Sequence, residues 1–155
     1  AAGITLRLES PEWTIERVKE LADVVYREND IAASIASGSF SVEAMVVVPA
    51  SMKTVAQIAP GTGENLLCRA ADVTLKERRT LIVVPRETPL HLGHLRNLTT
   101  LAELGAVIVP PMVAFYHQPN SVNDIVDHSV GKILDLLKIE QSLFEPWQGP
   151  SSVSD

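Results

Sequence analysis

The sequence is poor in cysteine and aromatic residues and has no long apolar run. Cys68 is the single cysteine, so no internal disulfide can form, which fits a reducing compartment. We expect Cys68 to be a small buried hydrophobe on a helix. The longest apolar stretch is far shorter than the roughly 20 residues of a membrane span, and no basic segment followed by a hydrophobic one opens the chain. These absences predict a soluble, cytoplasmic protein without a secretion signal.

Lysine and arginine form no run, and the formal net charge is -6. This balance argues against a nucleic-acid or anionic-membrane surface, although it is compatible with a local cationic pocket. The GxSxG, HExxH, CxxC and Walker motifs of many hydrolases, zinc proteins and nucleotide triphosphatases are absent. His91 and His94 have the sequence spacing of a pair of metal ligands, but no Asp, Cys or His follows at a spacing typical of a third ligand. We therefore expect no metal site.

Three short apolar runs are present instead, and each is followed by a proline and a turn rich in reactive side chains. They are 45–48, 81–84 and 106–109. Short apolar runs separated by helix-length segments are typical of buried parallel strands in βα units. Ligands of such sheets bind outside the carboxyl ends of the strands, so the sequence predicts one site where the three turns converge.

Helical periodicity fills the segments between these runs. Thr14 is a candidate cap for a packing helix whose apolar face would include Val18, Leu21 and Val25. Four more helices are predicted at about 51–59, 64–77, 91–104 and 121–137, with Gly105 as a stop signal. After residue 138 the periodicity is lost. We predict a parallel α/β sheet with helices on both faces.

The first and second turns offer candidate ligands for an anion. Ser51 and Thr54 supply hydroxyls and Lys53 an ammonium at the start of a predicted helix, where free N–H groups favour a phosphate, although Ser51 could be only an N-cap. Arg86 and Glu87 directly follow a buried strand, where a charged pair is costly unless it is paired or used. A guanidinium can grip phosphate and a carboxylate can exchange protons.

Other candidates are individually weaker. Arg69 and Lys76 are seven residues apart on one predicted helix face, a spacing that also describes an ordinary solvated basic stripe. Tyr116 follows the third run and Lys132 lies on the next helix, where either could contact a phosphate or simply face solvent.

A glycine-rich phosphate turn normally opens a doubly wound nucleotide-binding domain, and it has no counterpart at the start of this sequence. The segment Gly61-Thr62-Gly63 lies between predicted helices and is interpreted as a linker. We therefore expect either a variant fold or a chain that begins part-way through its domain.

Six ordered segments carry a family resemblance. They are SGSF at 37–40, VPASMKT at 48–54, CRAADVTLKERR at 68–79, PRETPLHLGHL at 85–95, GAVIVPPMVAFYHQP at 105–119 and WQG at 147–149. Together they resemble the UbiX-type flavin prenyltransferases, formerly labelled aromatic-acid decarboxylases, from about residue 6 to residue 149. The resemblance implies a three-layer, Rossmann-like (flavodoxin-like) domain over residues 1–150 that lacks its N-terminal βαβ part, followed by a disordered tail over 151–155.

The resemblance also implies an activity. Such enzymes join the dimethylallyl group of dimethylallyl monophosphate to N5 and C6 of reduced FMN, release phosphate, and supply prenylated FMN to a UbiD-type decarboxylase. They form large homo-oligomers, typically dodecamers. FMN would be held by residues of the second and third motifs, which are Ser51, Met52, Lys53, Thr54 and Arg69.

The same resemblance implies which residues bind the prenyl phosphate and which one transfers protons. The implied catalytic residues are Glu87, Arg86 and Lys76. Glu87 would transfer protons, and the two cations would bind the phosphate. The remaining substrate contacts would come from Tyr116, Lys132, Ser37 and Trp147, the last closing the site of a neighbouring subunit. The family often has arginine at the position of Lys132, so the charge is kept while the bidentate grip is lost.

Two alternatives stay open. A related flavin-dependent cysteine decarboxylase would share the fold, but it would carry an Asn-bearing PxMN motif, and here Val113 follows Pro111-Met112. The other alternative is a truncated or non-catalytic homologue that binds FMN. In the family, the N-terminal segment that has no counterpart here would contribute phosphate contacts, a serine and an acidic residue.

Overall fold

The computed structural model describes residues 2–146 and 149. Its elements in chain order are α1 (Ala2–Glu9), α2 (Ile15–Glu20), a 3₁₀ turn (Ser34–Ala36), β1 (Ala44–Ala50), α3 (Met52–Ile58), α4 (Leu66–Lys76), β2 (Thr80–Pro85), α5 (Leu92–Glu103), β3 (Val107–Ile108) and α6 (Val122–Leu136). Trp147 and the predicted tail at 151–155 lie outside the described residues. No helix in the described part of the chain is long and apolar enough to cross a membrane.

The three strands form one parallel sheet in the order β1-β2-β3, as the apolar runs predict. Met45 is paired with Leu81, and Val83 with Ile108. The third strand is shorter than predicted, although the amide of Val109 still donates to the carbonyl of Val83 at 2.8 Å. Because the pairing is parallel, the carboxyl ends of all three strands meet at one edge.

The main core lies between the sheet and a layer formed by α3, α4 and α5. Val55, Ala71, Leu81, Val83 and Leu101 are all completely buried in it. Helix α3 contacts both α4 and α5, while α4 contacts β1 and β2 and α5 contacts β3.

The opposite face of the sheet is covered only in part. Consecutive strand residues point to opposite faces, so the burial of both Ile82 and Val83 means that β2 is covered on two sides. Val48 is 60% exposed, however, and the expectation of a fully buried first strand is wrong at this position. The reason is that Val48 points away from the core face on which Val47 lies, toward the face that is covered only in part.

Local capping explains where the helices begin. Ser51, Asn65, His91 and Ser121 each accept a hydrogen bond from a backbone N–H of the following helix. At the other end of α5, Gly105 has φ 98°, which is the left-handed conformation expected of a stop signal. The four predicted long helices are therefore confirmed to within about two residues at each end.

The predicted packing helix near the start is only partly confirmed. Thr14 does cap α2, by accepting from the amide of Arg17 at 3.2 Å. The helix ends at Glu20, however, and none of its residues is buried. Leu21 is 75% exposed and Val25 lies outside the helix. Six residues make fewer than two turns, so the apolar spacing does not become one packed face.

We predict that Leu101→Ala lowers the free energy of unfolding by about 2–5 kcal/mol, because it opens a cavity in the completely buried core. Leu104→Ala, at a position 53% exposed just beyond α5, is the matched control and should cost less than about 1 kcal/mol. Chemical denaturation of both variants measures the difference. Equal losses would contradict the described core.

Candidate active site

The site is built where β1 and β2 end side by side. The pairing of the two strands reaches Ala50 and Pro85, and the amide of Arg86 donates to the carbonyl of Ala50 at 3.3 Å. Ser51 directly follows β1, and Arg86 directly follows β2. The structure therefore brings together the first two of the three turns that were predicted to converge.

The first turn is ordered by its own hydroxyls. Ser51 Oγ accepts from the amide of Thr54 at 3.1 Å and lies 3.0 Å from Thr54 Oγ1. Ser51 is therefore an N-cap, and both hydroxyls and the side chain of Lys53 remain at the surface or half-buried. Met52 is different: its side chain is buried in the core, so only its backbone can face a ligand from this turn.

The second turn holds a carboxylate that the sequence analysis missed. Glu9, at the end of α1, lies 2.7 Å from Arg86 through Oε1 and Nη1. Both side chains are about half exposed, so the pair contributes little to stability and its charges remain accessible. Glu87 is also exposed, and its Oε1 accepts from the amide of Thr88 at 3.1 Å. Two carboxylates and a guanidinium thus share this corner of the sheet.

A cavity of about 570 Å³ opens beside this turn. Arg86 and Glu87 are its charged lining residues, and the segment after β3 also lines it. The apolar lining consists of Leu90, Leu98, Met112 and the prolines Pro85, Pro110 and Pro111. This volume lies within the range of about 300–1,000 Å³ that is usual for small-molecule sites.

A second cavity, of about 800 Å³, lies between the segment after β3 and helix α6. Tyr116 and Lys132, both predicted to bind substrate, line it together with His117, His128 and Phe144. The Tyr116 hydroxyl is 3.0 Å from His128 Nε2, and the ammonium of Lys132 lies 5.8 Å from the centre of the Phe144 ring. Sequence analysis gave His128 no role, because a histidine standing alone carries no pattern.

The remaining predicted residues lie elsewhere in this chain. Lys76 ends α4 just before β2 begins, whereas Arg86 follows the end of β2. Six strand residues at about 3.3 Å each separate the two positions by about 20 Å. Within one chain Lys76 and Arg86 therefore lie at opposite edges of the sheet, because α4 returns the chain from the carboxyl edge to the amino edge.

Lys76 belongs instead to a group of side chains around the turn Ser37-Gly38-Ser39, called the serine turn below. Its ammonium pairs with Glu77, which lowers the pKa of that carboxyl, and both side chains lie against Gly38. Arg69 donates from Nε to the carbonyl of Ala36 at 3.2 Å and pairs with Asp72 at 2.9 Å.

Ser37 belongs to the same turn. Its hydroxyl lies 2.8 Å from that of Ser39. Arg79, which the sequence analysis did not single out, binds the carbonyls of Gly38 and Phe40.

Two other sequence-based interpretations concern single residues. Cys68 is buried on α4, as predicted, and burial followed by the nearby Glu28 raises the pKa of its thiol. His91 caps α5 through Nδ1, and its ring lies 3.5 Å from that of His94. Neither arrangement leaves an obvious catalytic role for these side chains.

Comparison with known proteins decides the family. The chain matches the flavoprotein family over residues 5–134. It is 55% identical over 144 residues to the flavin prenyltransferase LpdB of Lactiplantibacillus plantarum, a match that covers 93% of this chain and 76% of that protein. The crystal structure of AnUbiX (PadA1) in complex with FMN and dimethylallyl pyrophosphate is similar with a TM-score of 0.93 and 47% identity, covering 97% of this chain and 79% of that one. This chain belongs to the UbiX-type flavin prenyltransferase family.

A second solved member agrees with this assignment. The dodecameric FMN-dependent UbiX-like decarboxylase from Escherichia coli O157:H7 has a TM-score of 0.92 and 47% identity, covering 96% of this chain and 80% of that one. The Rossmann-like fold class predicted from the sequence is thereby confirmed.

The carboxyl edge fits the flavin nucleotide that this family implies. Lys53 and Arg86 supply positive charge for a phosphate group, and Ser51 and Thr54 supply hydroxyls. The cavity lined by Arg86 has apolar lining residues suited to a planar ring system. In the second cavity, both ring nitrogens of His117 are buried and make no hydrogen bond to the described part of the chain. A polar ligand group would satisfy them there.

Gly131 tests the packing of the second cavity. A Cβ at this buried position of α6 would lie 2.5 Å from Cε1 of Phe144. Alanine gains about 1 kcal/mol of helix propensity, whereas overpacking costs about 1–3 kcal/mol. We expect Gly131→Ala to be destabilising by up to about 2 kcal/mol in chemical denaturation. Val130→Ala, at an exposed position of the same helix, is the control. A stabilised Gly131→Ala variant would mean that the Phe144 ring moves aside freely.

Proposed function

We propose that this protein is a flavin prenyltransferase. It would transfer the dimethylallyl group of dimethylallyl monophosphate to N5 and C6 of reduced FMN and deliver prenylated FMN to a UbiD-type decarboxylase. The observation that carries the proposal is the juxtaposition of the Ser51 turn with Arg86 and Glu87, which line a cavity of about 570 Å³, in a chain of this family.

In this proposal the residues at the start of α3 hold the flavin nucleotide. The Ser51–Thr54 hydroxyl pair, in which one proton joins the two oxygens, offers its other proton to the nucleotide, Lys53 contributes charge, and Met52 contributes its backbone. Reduced FMN, when bound, supplies the nucleophilic nitrogen and carbon that accept the prenyl group. Because a reduced flavin needs a reducing environment, we also propose a cytoplasmic location, which the single buried thiol of Cys68 suits.

The cations would act on the leaving group. When the C–O bond of the prenyl phosphate breaks, the electron pair leaves with the phosphate, and negative charge develops on its oxygens. Arg86 can meet that charge with two parallel N–H donors, while Tyr116 and Lys132 bind phosphate from the side of α6. Glu87 can donate a proton to the departing phosphate or accept one from the flavin, since its carboxyl group is exposed next to Arg86.

The identity of the prenyl donor can be tested by comparing the monophosphate with the diphosphate. The solved AnUbiX complex holds dimethylallyl pyrophosphate, which carries one phosphate more than the donor proposed for this protein. Parallel assays with the monophosphate and the diphosphate, each with reduced FMN, therefore test the proposed substrate. Faster turnover of the diphosphate would overturn the choice of donor while leaving the reaction class intact.

We further propose that several copies of the chain complete each site. Lys76, Arg69 and Ser37 lie away from Glu87 within one chain, but a neighbouring copy can present that surface to the carboxyl edge. The solved relative from Escherichia coli O157:H7 is dodecameric, which supports a homo-oligomer, and a dodecamer is proposed here. Trp147 is assigned to the same closure between subunits.

We predict that Glu87→Gln lowers turnover by roughly 10²- to 10⁴-fold while FMN still binds, because the amide keeps the shape but cannot exchange a proton at this position. Formation of prenylated FMN from reduced FMN and dimethylallyl monophosphate, followed optically and by mass, measures the rate. Glu103→Gln, at an exposed position near the end of α5, is the matched control and should turn over normally. Normal turnover of Glu87→Gln would remove its role in proton transfer, and absence of product from the unaltered protein would overturn the proposed function.

Mixing two inactive variants tests whether sites are shared between copies. Lys76→Ala and Glu87→Gln, each nearly inactive alone, should regain up to about one quarter of the parent activity after co-expression, because random assembly places an intact Lys76 opposite an intact Glu87 in that fraction of sites. Activity no higher than the average of the two separate variants would show that both side chains must come from one chain.

A further inference from the structure

A half-buried contact between Tyr116 and His128 lies in the second cavity and is not used by the chemistry described above. The Tyr116 hydroxyl and His128 Nε2 are 3.0 Å apart, and the two rings meet edge to face with centroids 5.7 Å apart. His128 is only 8% exposed. Tyr116 is thus tied to α6 at its polar end, the end that would touch a ligand.

The imidazole of His128 is itself held from several sides. The His117 ring stacks on it with centroids 4.4 Å apart and planes inclined by 7°, and the Phe144 ring lies 4.8 Å away. Lys132 follows one turn later on the same helix. Burial, followed by the charges of His117 and Lys132, lowers the pKa of His128. A neutral, fixed imidazole is the form that this environment favours.

A neutral imidazole can hold a phenol in either of two ways. When Nε2 carries the proton, it donates to the phenolic oxygen of Tyr116, and the Tyr116 proton can then be given to a phosphate oxygen in the cavity. When Nδ1 carries the proton, Nε2 accepts the Tyr116 proton, and only oxygen lone pairs face the ligand. An anionic ligand repels lone pairs and therefore selects the first arrangement.

We propose that His128 is a positioning residue, which holds the Tyr116 hydroxyl so that it donates to the phosphate of the prenyl substrate. This inference rests on the proposed function, since it places the Tyr116 hydroxyl at the phosphate of that substrate. His128 touches neither substrate nor flavin in this account and acts only through Tyr116. Lys132 completes the subsite with a positive charge on the same wall.

Packing alone does not require a histidine at this position. A phenylalanine at position 128 would fill the space between His117 and Phe144 without placing a polar imidazole there. A buried polar group costs free energy unless it is hydrogen-bonded. The aligned contact with Tyr116 offsets that cost.

The experiment compares four variants in the complete protein with reduced FMN and dimethylallyl monophosphate. His128→Phe keeps a flat ring but loses the hydrogen bond, and His128→Gln keeps an N–H donor near the position of Nε2. Tyr116→Phe removes the partner hydroxyl, and the double variant Tyr116→Phe/His128→Phe closes a double-mutant cycle. KM and kcat are measured for each, and titration with inorganic phosphate measures binding without turnover.

We expect His128→Phe to raise KM, and the Kd for inorganic phosphate, by about 5- to 10-fold while kcat stays within about twofold, as for loss of one hydrogen bond that acts on binding. His128→Gln should behave like the parent protein within about twofold. In the Tyr116→Phe background, His128→Phe should change KM by less than about twofold, because the two side chains act through one bond.

Several results would overturn the inference. These are an unchanged KM and phosphate Kd in His128→Phe, an equal loss in the Tyr116→Phe background, or a loss in His128→Gln as large as in His128→Phe. If His128→Phe does not fold, His128→Asn replaces it, because its shorter amide cannot reach the Tyr116 hydroxyl. If the unaltered protein forms no prenylated FMN, the proposed function fails, and the phosphate titration still decides whether His128 supports anion binding through Tyr116.

Discussion

The parallel pairing of β1 with β2 is the constraint on which the proposed site depends. Because the strands run in the same direction and stay paired to Ala50 and Pro85, the turns that follow them emerge next to one another. The hydrogen bond from the Arg86 amide to Ala50 continues that pairing into the turn. A slip of one residue would also move the completely buried Leu81 and Val83 to the other face, so the core fixes the register. The hydrophobic interior thereby sets the distance between the side chains proposed to bind flavin and those proposed to bind phosphate.

The same βα alternation also separates charges. Helix α4 returns the chain from the carboxyl edge to the amino edge, and Lys76 lies at the end of that return. Within one chain its ammonium pairs with Glu77, whereas Arg86 pairs with Glu9. A site that needs both cations on one phosphate therefore needs a second copy of the chain. Assembly and catalysis are linked by topology in this account.

Much of the fold was predictable because its signals are local. Apolar runs identified the strands, and capping residues such as Ser51 and Ser121 marked where helices begin. The apolar spacing after Thr14 was misleading, since periodicity does not reveal whether a partner surface exists. Contacts between distant segments gave no signal at all. Glu9 meets Arg86 across 77 positions of sequence, and His128 acquires its importance only when α6 brings it to Tyr116.

The central claim is that prenyl transfer takes place at the carboxyl edge of the sheet, and the location of bound flavin tests it most directly. A crystal structure of the protein with FMN and dimethylallyl monophosphate should show the flavin against Ser51 and Thr54, with Arg86 within hydrogen-bonding distance of a ligand phosphate. Flavin bound along α6 or beside the serine turn at Ser37, with no contact to Ser51 or Arg86, would contradict the account.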